Sequence, residues 1–162
     1  MPDRKRIYHG FGEKLHHEVP SWVREDAIFH IRIRCDPNQT SPLTSPHIAP
    51  VLMDSARFYQ ERYRWWLDVF VLMPDHLHAL ISFPRNADMS EVIRNWKRFH
   101  ARQHGIQWQE NFFEHRVRNH DVQLEQKREY ILRNPVVVGL CGTIDEWPWT
   151  YRNGGGWPET QA

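Results

Sequence analysis

At 162 residues, 40% hydrophobic and 25% charged, the chain has the length of one domain and enough apolar residues for a core, which excludes a disordered or low-complexity protein. The net charge of +1 gives no global argument for a polyanionic partner, and the two cysteines exclude a disulfide framework or a cysteine zinc cluster. They point to a reducing, cytoplasmic setting; the start, Met1 to Arg6, is polar with no apolar stretch after it, and no run approaches the roughly 18 apolar residues of a membrane span.

In chain order, residues 1–24 show no period and are expected to form an N-terminal arm. Ala27 to Arg34 alternates, with Phe29, Ile31 and Ile33 on one face and His30, Arg32 and Arg34 on the other, which predicts a half-buried strand. Pro37, Pro42, Pro46 and Pro50 mark a loop over 36–50. A helix is expected from Val51 to about Tyr63, then strands over Trp65–Met73 and His76–Phe83 joined at Pro74-Asp75 as an antiparallel hairpin. Ser90 is the expected cap of a second helix, Glu91 to His104, with Val92, Trp96 and Phe99 on its apolar side and Gly105 as its stop. Ile106 to Val117 reads as extended. Asp121 should cap a third helix over 122–133 that Pro135 ends, and 152–162 should be a flexible tail. Strand, helix, strand, strand, helix, strand is a ferredoxin-like α+β order: one antiparallel sheet with helices on one face, here plus an extra C-terminal helix.

The hairpin carries the chemistry. Residues two apart on a strand share a face, so His76 and His78 project together, and two adjacent imidazoles are half of a metal site. On the extra helix, Tyr130 and Asn134 lie one turn apart. Asn134 would add an oxygen ligand, and Tyr130 would attack a phosphorus held at the metal. A tyrosine is a weak nucleophile at neutral pH unless a neighbouring cation activates it, and Lys127, one turn earlier, is the candidate helper. Because Asn134 precedes a proline, its backbone is biased away from the helical region. Between Glu91 and Glu110 the only charged side chains are basic: Arg94, Lys97, Arg98 and Arg102. With Arg116 and Arg118 they are candidate contacts to a nucleic-acid backbone, and some of the eight tryptophans are candidates for base stacking.

Several segments together resemble the single-tyrosine HUH transposases, most closely the REP-associated tyrosine transposases of bacteria. These are Val-Pro-Ser-Trp-Val at 19–23, Val71-Leu72-Met73-Pro74-Asp75-His76-Leu77-His78, Phe112-Phe113-Glu114-His115-Arg116-Val117-Arg118, Glu129-Tyr130-Ile131-Leu132-Arg133-Asn134-Pro135 with Gly139-Leu140, and Glu146-Trp147-Pro148-Trp149. The resemblance implies a ferredoxin-like core with both histidines on a central strand and a divalent ion, Mg²⁺ or Mn²⁺, held by His76, His78 and Asn134. It implies cleavage and rejoining of single-stranded DNA beside palindromic hairpins, with Tyr130 forming a 5′-phosphotyrosine and freeing a 3′-OH. It also implies a bacterial, nucleoid-associated protein, and leaves monomer and homodimer equally open. The proline-rich loop at 36–50 has no counterpart in the pattern. Two other readings are a hairpin-DNA-binding protein that does not cut, and a metal-dependent hydrolase using water; the latter leaves Tyr130 unexplained.

Overall fold

The computed structural model of the chain describes residues 20–24, 27–117 and 121–158. Five strands form one antiparallel sheet: β1 (Ile28–Arg34), β2 (Trp66–Leu72), β3 (His76–Ser82), β4 (Phe113–Val117) and β5 (Thr150–Arg152), in the order β4-β1-β3-β2-β5. Helices α1 (Ala49–Glu61), α2 (Met89–His104) and α3 (Asp121–Val137) pack on it. The first four strands have the ferredoxin-like order expected from the sequence.

Alternation along the strands divides the core. Ile31, Ile33, Phe70, Leu72, Leu77, Ala79 and Ile81 face α1 and α2, joined by Leu52, Ala56, Ile93 and Trp96. Val69, Val71 and Leu80 face the other way, against Ile131 and Leu132 of α3. Every residue of β2 is therefore buried. A bulge between Leu67 and Val69 leaves Asp68 unpaired with β3, which lets its carboxylate meet α3. Oδ2 of Asp68 accepts from Nε of Arg128 at 2.8 Å. Both residues are buried, and Arg128 also binds Glu125. This buried pair fixes α3 to the sheet.

Several boundaries differ from the sequence reading. α1 starts at Ala49, not Val51, because Pro50 lies in its first turn, where a missing N–H costs nothing. Asp88, not Ser90, caps α2 by accepting from the Glu91 amide at 3.3 Å. Phe99 is exposed rather than apolar packing; Ile93, Trp96, Lys97 and His100 are the buried set. Gly105 stops α2 in the left-handed region as expected, at φ 68°.

The largest correction concerns α3, which runs through Pro135 to Val137. Proline removes one helical hydrogen bond, yet its carbonyl still serves the C-terminus: Leu140 N donates to Pro135 O at 2.9 Å and Gly139 N to Val136 O at 3.0 Å. With Gly139 at φ 83° this is a Schellman stop, so the glycine and not the proline ends the helix. The side chain of Asp121 lies outside the described residues.

The tail expected to be flexible from 152 is packed as far as it is described. β5 pairs with β2, Trp147 Nε1 donates to Leu72 O at 2.9 Å, and Trp157 stacks on the buried Tyr151 with centroids 4.0 Å apart. Residues 1–19 of the expected arm lie outside the described residues; Val23 bridges to Pro84.

Candidate functional site

The site forms where β3, β1 and α3 meet. His76 and His78 alternate with Leu77, whose side chain fills the opposite core, so both imidazoles turn toward α3. Their Nε2 atoms are 3.2 Å apart. Each ring is held from behind. His76 Nδ1 lies 2.7 Å from Asp75 Oδ1, and His78 Nδ1 lies 3.0 Å from His30 Nε2. Asp75 belongs to the turn before β3. His30 lies on β1, buried and stacked on His78 with centroids 5.2 Å apart.

From α3, the Asn134 amide nitrogen is 2.8 Å from His78 Nε2. The backbone bias before Pro135 does not divert it, since the helix continues. Tyr130, one turn earlier, sets its ring 6.2 Å from that of His78 and 6.5 Å from that of His30. It is 57% exposed, open to a large substrate. Lys127 Nζ is 5.6 Å from the Tyr130 centroid, which places a positive charge beside the phenol. The four residues read from the sequence as a set are thus brought together, with the helper beside them.

The electrostatics favour neutral imidazoles. Burial pushes His78 down to about 3, helped by the charges of His76 and His30, and pushes His30 down to about 4, helped by Lys127 and Arg32. Burial also lowers His76, against the raising effect of its bond to Asp75. One assignment of protons satisfies the contacts. His76 Nδ1–H donates to Asp75, Asn134 donates to His78 Nε2, and His78 Nδ1–H donates to His30. It leaves the His76 Nε2 lone pair free, 3.2 Å from the His78 Nε2 that Asn134 caps. Among the described residues no three His, Cys, Asp or Glu side chains cluster as a metal site. The amide of Asn134 lies beside the two imidazoles, and a half-turn of its last torsion would present Oδ1 there as a third donor. Two neutral imidazoles anchored at Nδ1, plus an amide oxygen, fit a divalent cation.

Sequence reasoning missed His30 as a partner of the site. Strand alternation put it on the polar face with Arg32 and Arg34, which would be solvent-facing if α3 did not cover that side. A histidine centred on a strand beside the His-x-His strand was the available signal.

The proposed backbone contacts are placed less favourably. Arg94, Arg98 and Arg102 are exposed, but α2 packs on the sheet face opposite α3. Arg116 also projects to that face, paired with Phe29 on β1. Lys97 is buried, and its ammonium donates to Gln109 O at 2.8 Å and Glu110 O at 3.1 Å, so it works inside the fold. Arg118 lies outside the described residues.

The family description "Transposase IS200 like" matches residues 23–134. The chain belongs to this family. Among curated proteins, one from Haemophilus influenzae that carries the name REP-associated tyrosine transposase is 30% identical over 109 residues, covering 56% of this chain and 60% of that one. The REP-associated tyrosine transposase of Escherichia coli K12 is 29% identical over 87 residues, 52% of each chain. This member of the family therefore matches little more than half the length of these curated relatives. A solved REP-associated tyrosine transposase, itself bound to a REP hairpin, superposes with a TM-score of 0.66 over 82% of this chain and 81% of that one. At 22% identity, that likeness establishes the shared fold.

Proposed function

We propose that the protein is a metal-dependent transposase that cuts and rejoins single-stranded DNA beside hairpins, with Tyr130 as nucleophile. The observation that carries this is the convergence of His76, His78 and Asn134, with the exposed Tyr130 ring 6.2 Å from His78. Family membership and the names of the relatives support it, and the hairpin bound by the solved relative supports the choice of DNA partner.

In this reading His76, His78 and Asn134 hold the cation. When bound, it supplies Lewis-acid polarisation and a template for the reacting phosphate. Two imidazole nitrogens favour Mn²⁺ over the harder Mg²⁺. Asp75 and His30 keep both rings turned toward the site. The phenol oxygen of Tyr130 bonds to phosphorus, the bond to the 3′ oxygen breaks, and the phenol proton passes to water. The products are a 5′-phosphotyrosine and a 3′-OH that can attack to reverse the step, so joining needs no nucleotide cofactor. Lys127 adds positive charge beside the phosphate. Arg94, Arg98 and Arg102, behind the sheet, would hold DNA remote from the scissile phosphate.

To test this, the protein is incubated with Mn²⁺ and hairpin DNA carrying a single-stranded flank, then denatured and run on a gel. A covalent protein–DNA band that disappears in Tyr130→Phe supports the reading. No band with wild type, with hairpin affinity equal in the two proteins, leaves a hairpin-binding protein that does not cut. Cut DNA with protein-free ends in Tyr130→Phe means a hydrolase using water.

A further inference from the structure

The residues above hold one phosphate, but a transferred strand must also be seated on either side of it. One surface next to Tyr130 has the chemistry for this. Phe113 on the edge strand β4 is a large aromatic that stays 42% exposed. Register puts Phe113, Arg32 and His78 on one rung across β4, β1 and β3. The Arg32 guanidinium carbon sits 4.8 Å from the Phe113 centroid, and Phe113 meets His30 edge-on at 5.6 Å. Arg32 Nε is buried with no hydrogen-bond partner.

On the next rung, His115 faces a cleft of about 490 Å³ between β4 and α3, lined also by Val117, Gln123, Gln126, Lys127 and Tyr130. Among the described residues no carboxylate lines it. The cleft on the other flank of α3 mixes charges: Glu125 and Glu129 line it together with Arg128, already bonded to Asp68 and Glu125, and Arg152, already paired with Asp145. The Phe113 side combines a cation, Lys127, two amides able to read base edges, and an aromatic face.

We propose that Phe113, backed by Arg32, is a stacking platform for an unpaired base adjoining the phosphate attacked by Tyr130, and that the single strand runs from it into the His115–Gln126–Lys127 cleft. The proposal rests on the reading of Tyr130 as the nucleophile for where the strand is anchored. It places base stacking on a phenylalanine rather than on a tryptophan: Trp65 and Trp96 are spent in the core, and Trp147 and Trp157 hold the tail.

The test measures binding, by fluorescence anisotropy, of a DNA hairpin with an oligo(dT) flank and of the same hairpin without it. Phe113→Ala should weaken the flanked probe roughly 5- to 150-fold, the range for removing one base–aromatic stack, and leave the blunt hairpin unchanged. Phe113→Leu, which keeps apolar bulk without the aromatic face, should behave as Phe113→Ala, and Phe113→Trp should bind as wild type. Arg32→Gln should flatten the salt dependence for the flanked probe alone. Equal affinities of wild type and Phe113→Leu for the flanked probe would overturn the proposal, as would equal losses for both probes. Covalent adduct formation, scored in parallel, separates this from the enzyme reading. A flank effect without an adduct in wild type keeps the platform and removes the chemistry, and an adduct without a flank effect does the reverse.

Discussion

Replacing His30 by alanine probes the arrangement behind the proposed metal ligands. The imidazole is 4% exposed and bonds His78 Nδ1 at 3.0 Å, while His78 itself is 2% exposed. Without it, His78 keeps its place on β3 but loses the partner that fixes its tautomer and ring orientation. Removal of such a partner costs about 10- to 100-fold in metal affinity, or about 1.4–2.7 kcal/mol. Stability should fall too, since the stranded His78 donor costs about 1–3 kcal/mol, partly offset because the unpartnered Nδ1 of His30 is removed with the ring. Mn²⁺ titration by calorimetry reads the first effect, and thermal melting the second. Long-range ¹⁵N spectra report the His78 tautomer directly. His30→Gln, whose amide oxygen can replace Nε2 as acceptor, should recover much of the affinity. Wild-type Mn²⁺ affinity in His30→Ala, with His78 in an unchanged tautomer, would refute the reasoning.

Asp68→Ala removes the buried partner of Arg128 and leaves it only the half-exposed Glu125, so stability should drop, by at most about 3–5 kcal/mol, and urea unfolding should show most of the loss recovered in Asp68→Leu combined with Arg128→Met. Gly139→Ala meets no neighbouring atom, so its cost is the left-handed backbone alone, about 1–2 kcal/mol, visible as a lower Tm with the site intact. Acid should destabilise the fold. His100 is fully buried with both ring nitrogens unpartnered, and burial holds it at about 3 against an ordinary 6.5. The unfolded chain then binds a proton that the folded one refuses, and stability falls as pH drops below about 6.5 by about 1.4 kcal/mol per unit for each such histidine. Urea melts between neutrality and about pH 5 should show a shallower slope in His100→Leu by one proton's worth.

The strand order and the grouping of His76, His78, Tyr130 and Asn134 were legible in the sequence because both rest on short-range periods. His76 and His78 share a strand face, and Tyr130 and Asn134 share a helix face. What it did not disclose depends on which element covers which surface. His30 looked like part of a polar strand face until α3 covered it. The pairing of Asp68 with Arg128 depends on the β2 bulge, which no local period announces. The basic row of α2 was read as contacts to a nucleic-acid backbone, but Lys97 is buried and the helix lies behind the sheet, a fact of topology that composition does not carry. Pro135 looked like a helix end because proline opposes helix interiors, whereas its own carbonyl and that of Val136 are closed by Leu140 and Gly139.

The most direct measurement is mass spectrometry of the tryptic peptide Glu129–Arg133 after reaction with flanked hairpin DNA and Mn²⁺. The account predicts a nucleotide-bearing peptide with the modification on Tyr130, lost on chelation of the metal and in His78→Ala. An unmodified peptide, or DNA attached at another residue, would contradict it.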